Sequence, residues 1–408
     1  YVCDVKAEDA DVVGVSNACY TSRPEDHVTE HTHVIREHAE ASDQNRFFAD
    51  FVNNSTLSEN FPFSTWTKLM RETMMDDREK LMKRSPSGGI FELRKAIADY
   101  LYQFRGMSVS PNQIIVGAGT EYLYGLIIQL LGRDSVYGVE NPGYQKIQHI
   151  YDAYQVKCCY IDMDESGVNI DSLERSGADV VHISPSHHFP TGTVTPASRR
   201  YELLGWEGRY IIEDEYDSEF RLVGNPIPAL QSIDASDKVI YMNTFSKSLS
   251  STIRISYMVL PIPLMVRYNH ILSFYACTVS NFDQYTLTRF IQEGYLEKHI
   301  NRMRKFYRNS RDRILGCIRS HRLYPQVTIK EENAGLHFLM EIDTSYTDRE
   351  MVDRAAAAGI NISSLSQYCH GKEQEDSHTL VINYSGIEED IIEEACDRLL
   401  ESVVHLTT

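Results

Sequence analysis

A lysine can condense with a carbonyl to form a Schiff base once burial or a neighbouring cation lowers its pKa. Lys247 stands directly after a short apolar strand expected over Val239–Met242, inside the run Asn243-Thr244-Phe245-Ser246-Lys247-Ser248, and Arg254 follows seven positions later. Hydroxyl groups beside a planar guanidinium are the donors that a phosphate monoester requires. Taken alone, the stretch reads equally well as a strand-to-loop turn carrying a solvated lysine. Other residues able to share its chemistry lie in Gly119-Thr120, Tyr144, His187-His188 and Asp214-Glu215-Tyr216, and each group comes immediately after an expected strand.

The elements that must position these groups alternate. Strands are expected over 113–117, 135–139, 156–161, 180–184 and 209–214, separated by helical periodicities such as Leu123, Leu126, Ile127, Leu130 and Leu131. This alternation predicts an α/β fold, a mainly parallel central sheet with helices on both faces, plus a smaller α+β subdomain near the C-terminus. Ligands on such sheets sit at the carboxyl ends of the strands. Small residues between a strand and a helix, as at Gly119-Thr120, leave backbone N–H groups free for an anion, although many α/β turns carry Gly-Thr for geometry only. Ser64 is expected to cap a helix over 65–75, and long amphipathic helices are expected over 264–276 and 282–320. The second carries Arg302, Arg304, Arg308, Arg311 and Arg313, read as a solvated face.

Composition narrows the function. The formal charge of −18 over 408 residues excludes nucleic-acid binding by the overall field of this chain. No apolar run reaches the roughly 18 residues of a membrane span, and the first residues lack a signal-peptide pattern. Eight cysteines without C-x-x-C or metal-ligand spacing read as reduced thiols, which fits the cytoplasm. His27, His31, His33 and His38 sit among charged residues without a packing face and read as part of a solvated arm, so no metal site is expected.

A pyridine-based aldehyde cofactor needs an amine to hold it, a carboxylate to keep its ring nitrogen protonated, a flat partner for its ring and donors for its phosphate. Lys247, Asp214, Tyr144 and the set Gly119, Thr120, Ser246 and Arg254 can supply these roles. The segments Gly88-Gly89-Ile90-Phe91-Glu92-Leu93-Arg94, Glu140-Asn141-Pro142-Gly143-Tyr144, Ser184-Pro185-Ser186-His187-His188-Phe189-Pro190-Thr191-Gly192, Glu213-Asp214-Glu215-Tyr216-Asp217-Ser218-Glu219-Phe220-Arg221 and Thr244-Phe245-Ser246-Lys247 occur in this order. Over residues 46–408 the chain resembles fold type I pyridoxal-phosphate enzymes, and within them the aminotransferase-like domain of MocR-type regulators of the GntR group.

That resemblance implies that Lys247 forms the internal aldimine and Asp214 faces the pyridine nitrogen. Tyr216 would bond the ring's 3-oxygen, Tyr144 would stack on the ring, and Ser246 and Arg254 would hold the phosphate with the amides near Gly119 and Thr120. Thr244 and His187 complete the expected cofactor-binding set. The resemblance further implies a linker over 1–45 after a winged-helix domain absent from this chain, a large cofactor-binding subdomain over 85–300, and a small subdomain from 46–84 and 301–408. The function it implies is an effector-binding, dimerising regulator domain that senses an amine or amino-acid effector, or the cofactor itself, by aldimine exchange at Lys247. The expected partners are a second copy in a homodimer, and DNA only through the absent domain. Steady turnover is not expected; the alternative is a free-standing aminotransferase acting on an amino acid.

Three departures qualify it. Lys83 occupies a place where aminotransferase-like chains carry a tyrosine. Phe189 replaces an asparagine whose role would pass to His187 or His188. The last strand reads Leu380-Val381-Ile382-Asn383, without the arginine that binds a substrate carboxylate in aminotransferases.

Overall fold

The computed structural model describes residues 47–222, 227–333, 335–371 and 376–405, and these belong to a single compact unit. The expectations for residues 1–45, including the histidine-rich arm, lie outside the described residues. Eight strands form the large sheet: β1 (Ile114–Gly117), β2 (Val136–Asn141), β3 (Lys157–Asp164), β4 (Gly167–Val168), β5 (Val180–Ile183), β6 (Tyr210–Glu215), β7 (Val239–Thr244) and β8 (Ser256–Val259). Their order is β1-β8-β7-β6-β5-β2-β3-β4. The pairs β3–β2, β2–β5, β5–β6 and β6–β7 run parallel, whereas β8 is antiparallel to both its neighbours and β4 is antiparallel to β3. Strands β5, β7 and β8, and the edge strand β1, are buried along their whole length, as both faces are covered by helices.

Strand β8 was not anticipated. Its residues Ser256-Tyr257-Met258-Val259 mix polar and apolar side chains without a turn signal before them, yet Arg254, at φ 54°, reverses the chain so that β8 pairs back on β7. A second sheet of four strands carries the order Val327–Lys330, His337–Ile342, Thr379–Asn383, Ser363–Ser364, all antiparallel. Its core includes Phe338, Met340, Leu380, Ile382, Leu399 and Val403. Of the segment expected in the small subdomain, Ala49 and Phe51 lie in this core, while Trp66, Leu69 and Leu81 are buried with Leu93, Ile97 and Tyr257 of the large sheet's core.

Three local expectations are corrected. The helix expected from Ser64 spans Phe63–Asp76, and Pro62 rather than a serine precedes it without a side-chain cap. Proline's preset φ and the Phe61–Phe63 and Phe61–Trp66 ring contacts fix the entry of the chain there. The long helix expected over 282–320 is two helices, Asn281–Gln292 and Tyr295–Ser320, because Gly294 adopts φ 75° between them. The arginine run is not a solvated face throughout. Arg304 Nε donates to Glu219 O at 2.5 Å, Arg308 Nη2 to Leu222 O at 3.1 Å and Arg311 Nη1 to Glu332 O at 3.0 Å, so these side chains tie loops to the helix.

Candidate active site

A cavity of about 590 Å³ opens at the carboxyl ends of β2, β5, β6 and β7. Its lining includes Gly119, Thr120, Tyr144, Asp214, Tyr216, Thr244, Ser246, Lys247 and Arg254. Nine of the ten residues singled out from sequence therefore meet in one space, because each lies at or beyond the carboxyl end of a strand of the same sheet.

At one end, Gly119 precedes the helix Thr120–Leu131 with φ 90°, and a Cβ there would come within 2.6 Å of Arg254 Nη2. Glycine is required at this position both by its backbone and by the guanidinium it admits. Arg254 and Lys146 both pair with Glu121. The two cations are thus held at the helix N-terminus, where free backbone N–H groups and the positive end of the helix dipole already favour an anion. Thr244 Oγ1 accepts from Ser246 N at 3.1 Å and from Ser256 Oγ at 2.8 Å, and donates to Ser246 Oγ at 2.9 Å, which fixes the hydroxyls beside the lysine.

At the centre, Lys247 Nζ donates to the main-chain oxygen of Asn54 at 2.8 Å. Desolvation pushes the lysine pKa down to about 8, against the opposing pull of Asp217. Roughly a tenth of Lys247 is then neutral at pH 7, several hundredfold more than for a lysine titrating near 10.5. Since the neutral amine is the nucleophile, the rate at which Lys247 condenses with an added aldehyde is expected to rise with pH up to about 8 and then level off. Stopped-flow absorbance across pH 6 to 11 checks this; a rate still climbing above pH 10 would point to an unperturbed amine.

Deeper in the cavity, Asp214 Oδ2 accepts from Tyr124 Oη and faces His182 Nε2 at 3.3 Å, and Tyr151 Oη lies 2.8 Å from His182 Nδ1. A carboxylate only accepts, so His182 carries its proton on Nε2 and Tyr151 donates to Nδ1. These bonds orient Asp214 while its Oδ1, also buried, has no hydrogen-bond partner among the described residues. A buried carboxylate oxygen left open in this way calls for a donor from a bound molecule. A protonated ring nitrogen fits that need, a free amine fits Lys247, and the Gly119–Arg254–Ser246 end fits a phosphate. The residues present therefore suit pyridoxal phosphate.

His187 stands apart. It does not line this cavity; burial has turned it behind Tyr216, with Tyr216 Oη 3.0 Å and Asp217 Oδ2 2.8 Å from its Nδ1. Asp217 takes the single Nδ1 hydrogen, so Tyr216 cannot donate to that nitrogen and keeps its own proton for the cavity. His188 is also buried, and desolvation pushes its pKa down to about 3. Phe189, in contrast, lines the cavity edge-on to Tyr144, their rings 5.8 Å apart. Lys83 is exposed and does not contribute to the lining. Asn383, at the end of the last strand, does line it.

Sequence reasoning missed Tyr124, His182, Glu140 and Asn54. Tyr124 lies one helical turn beyond Thr120, and His182 pairs in register with Ile212, on the same face of the sheet as Asp214. Periodicity could have placed both. Glu140, whose carboxyl is pushed up to about 8 by burial, was quoted in a motif without a role.

Residues 52–399 match the aminotransferase class I and II family. The chain is 37% identical over 88% of its length, and 77% of the relative's, to the uncharacterised HTH-type transcriptional regulator YdeL of Bacillus subtilis. It is 30% identical over 85% of its length, and 70% of the relative's, to the probable rhizopine catabolism regulatory protein MocR of Rhizobium meliloti. The chain belongs to the MocR-type regulators. Its aminotransferase-like domain is of the pyridoxal-phosphate-dependent family. In fold it is similar to the kynurenine aminotransferase of Pyrococcus horikoshii, with a TM-score of 0.77 and 23% identity, covering 91% of this chain and 94% of that one. The fold type I architecture expected from sequence is thus present in this MocR-type chain. Among the described residues no helix is long and apolar enough to cross a membrane and no cluster of potential metal ligands occurs.

Proposed function

We propose that this chain is the effector-binding part of a transcription regulator that carries pyridoxal phosphate on Lys247 and responds to an amine. The observation that carries the reading is the open Oδ1 of Asp214 facing the same cavity as Lys247 and the Gly119–Arg254 anion cradle. Asp214 would hold the pyridine nitrogen protonated, Tyr216 would donate to the ring's 3-oxygen and Tyr144 would cover the ring. Ser246, Thr244, Arg254 and the amides at Gly119 and Thr120 would hold the phosphate. The bound group supplies an aldehyde carbon that can be joined to one amine at a time, Lys247's or the effector's, and sensing is exchange between the two. A second copy would complete a cytoplasmic homodimer, and DNA would be bound through a winged-helix domain of the whole regulator. Effector binding then acts by shifting the population of domain arrangements rather than by turnover.

Asn383, buried in the cavity wall, favours sensing over transamination. An amide gives no charge to orient a carboxylate, and rate enhancement by positioning is lost without it. The test is to add amino acids and simple amines to the pyridoxal-phosphate-loaded protein while following its absorbance and keto-acid release. A spectral shift with less than one keto acid per protein is expected; sustained release over many turnovers would instead identify an aminotransferase.

A further inference from the structure

The main-chain oxygen that accepts from Lys247 belongs to a segment that packs on the other sheet. Asn54 Oδ1 lies 2.9 Å from Ser385 Oγ, and the Asn383 main-chain N–H donates to Phe51 O at 2.9 Å. Ser385 has one hydroxyl proton and two oxygens near it. Asn383 Oδ1, 2.8 Å from the hydroxyl, also receives the Ser385 main-chain N–H at 2.9 Å, so the hydroxyl sits between the two asparagine oxygens and ties Asn54 to Asn383. Gly386 completes the seat: a Cβ there would come within 2.7 Å of Ser55 Oγ, so a side chain would push the segment away. Ser385 is only 1% exposed and Asn383 is buried beside it, whereas Asn54 is half-buried. Asp50 Oδ1 in turn accepts from the amides of Val52 and Asn53, at 2.8 and 2.9 Å, and makes the segment one hydrogen-bonded unit.

We infer that Asn54, seated by Ser385, reads the bonding state of Lys247 and passes it to the Phe51–Ser55 segment. The inference rests on the reading of Lys247 as the residue that carries the cofactor. A free lysine amine has two or three N–H groups, and one of them serves the Asn54 oxygen. When an incoming amine takes over the aldehyde carbon, the carbon–nitrogen double bond to Nζ breaks and one to the incoming nitrogen forms. Two hydrogens pass from that nitrogen to Nζ, with no change of oxidation state. Nζ thereby gains donors and can hold Asn54; joined to the carbon by a double bond it would keep at most one proton in place of the two or three of the free amine. The segment is therefore tightened when effector is present and loosened when Lys247 carries the cofactor. Because Phe51 and Asn383 share a main-chain bond, the same event is felt by the small sheet. Ser385 is a positioning residue, since it acts through Asn54, whose main-chain oxygen is the group that meets Lys247 Nζ.

The test uses the whole chain loaded with pyridoxal phosphate, with methylamine as the probe amine. Absorbance reports whether the amine has displaced Lys247, and hydrogen exchange of the peptide spanning residues 49–57 reports the strap. Exchange at Val52 and Asn53 is expected to slow about tenfold as the spectrum converts, the scale of one hydrogen bond to a charged group. In Ser385→Ala the spectrum should still convert while the slowing is lost. Conversion in the wild type without any change in exchange would overturn the strap and leave the cofactor reading intact. A protein that binds no pyridoxal phosphate would overturn both. The wild-type comparison decides even if the variant does not fold.

Discussion

Replacing Lys247 is expected to abolish the visible absorbance of the pyridoxal-phosphate-loaded protein and to weaken retention of the group by at least about a hundredfold, roughly 2.7 kcal/mol. Arg254, Ser246 and the amides at Gly119 still offer a phosphate site in Lys247→Ala, so some binding should survive, but it would no longer be covalent. The same lysine bears a stability cost in the protein without cofactor. Its pKa is lowered from 10.5 to about 8, so folding disfavours the ammonium form. The sign follows directly: the penalty is fully present below pH 8, shrinks as pH rises from 8 to 10.5, and vanishes above. Partial exposure of Lys247 and its bond to Asn54 discount the figure, which leaves on the order of 1–2 kcal/mol at pH 7. Lys247→Met, which fills the same volume, should therefore melt higher than the wild type without cofactor at pH 7, with the difference gone by pH 11. Equal melting temperatures at pH 7, or an undiminished visible band in Lys247→Ala, would contradict this account of the residue.

Asp214→Asn is expected to weaken pyridoxal-phosphate binding by roughly 10- to 100-fold, the worth of a hydrogen bond between charged partners. The substitution keeps the shape and an acceptor for Tyr124, so the fold should be retained. What it removes is the charge that stabilises a protonated ring nitrogen. The visible band should accordingly respond to pH in a range where the wild type does not. Equilibrium dialysis and a spectral titration read the two effects separately. Unchanged affinity would mean that the open Oδ1 of Asp214 does not face the ring. Asp214→Ala would add a second effect, because Tyr124 Oη is buried and would lose its acceptor, costing about 1–3 kcal/mol of stability.

Much of this site was legible because ligand groups follow strands in chain order. Gly119, Tyr144, Asp214 and Lys247 each come directly after an apolar run, and a parallel sheet places all such positions along one edge. Residues on the faces of elements were harder to see. His182 lies within β5, where its neighbours Val180, Val181 and Ile183 give a uniformly apolar pattern and hide the one polar side chain that turns toward Asp214. Asn54 acts through its main-chain oxygen, and no residue type signals that. His187 was placed on the cavity by its position after a strand, but the Pro185–Thr193 loop turns it toward Asp217, a burial preference that only the packed loop determines. The arginines of Tyr295–Ser320 show the same limit. Their helical spacing is plain, but their main-chain partners on loops remote in sequence are set by tertiary packing.

Borohydride reduction of the pyridoxal-phosphate-loaded protein, followed by peptide mass mapping, tests the central claim most directly, because it converts a reversible carbon–nitrogen bond into a permanent one. The account predicts one pyridoxyl group per chain on the peptide containing Lys247, and its loss when an effector amine is present before reduction. Label on Lys146, whose side chain also lines the cavity, or no label at all, would contradict it.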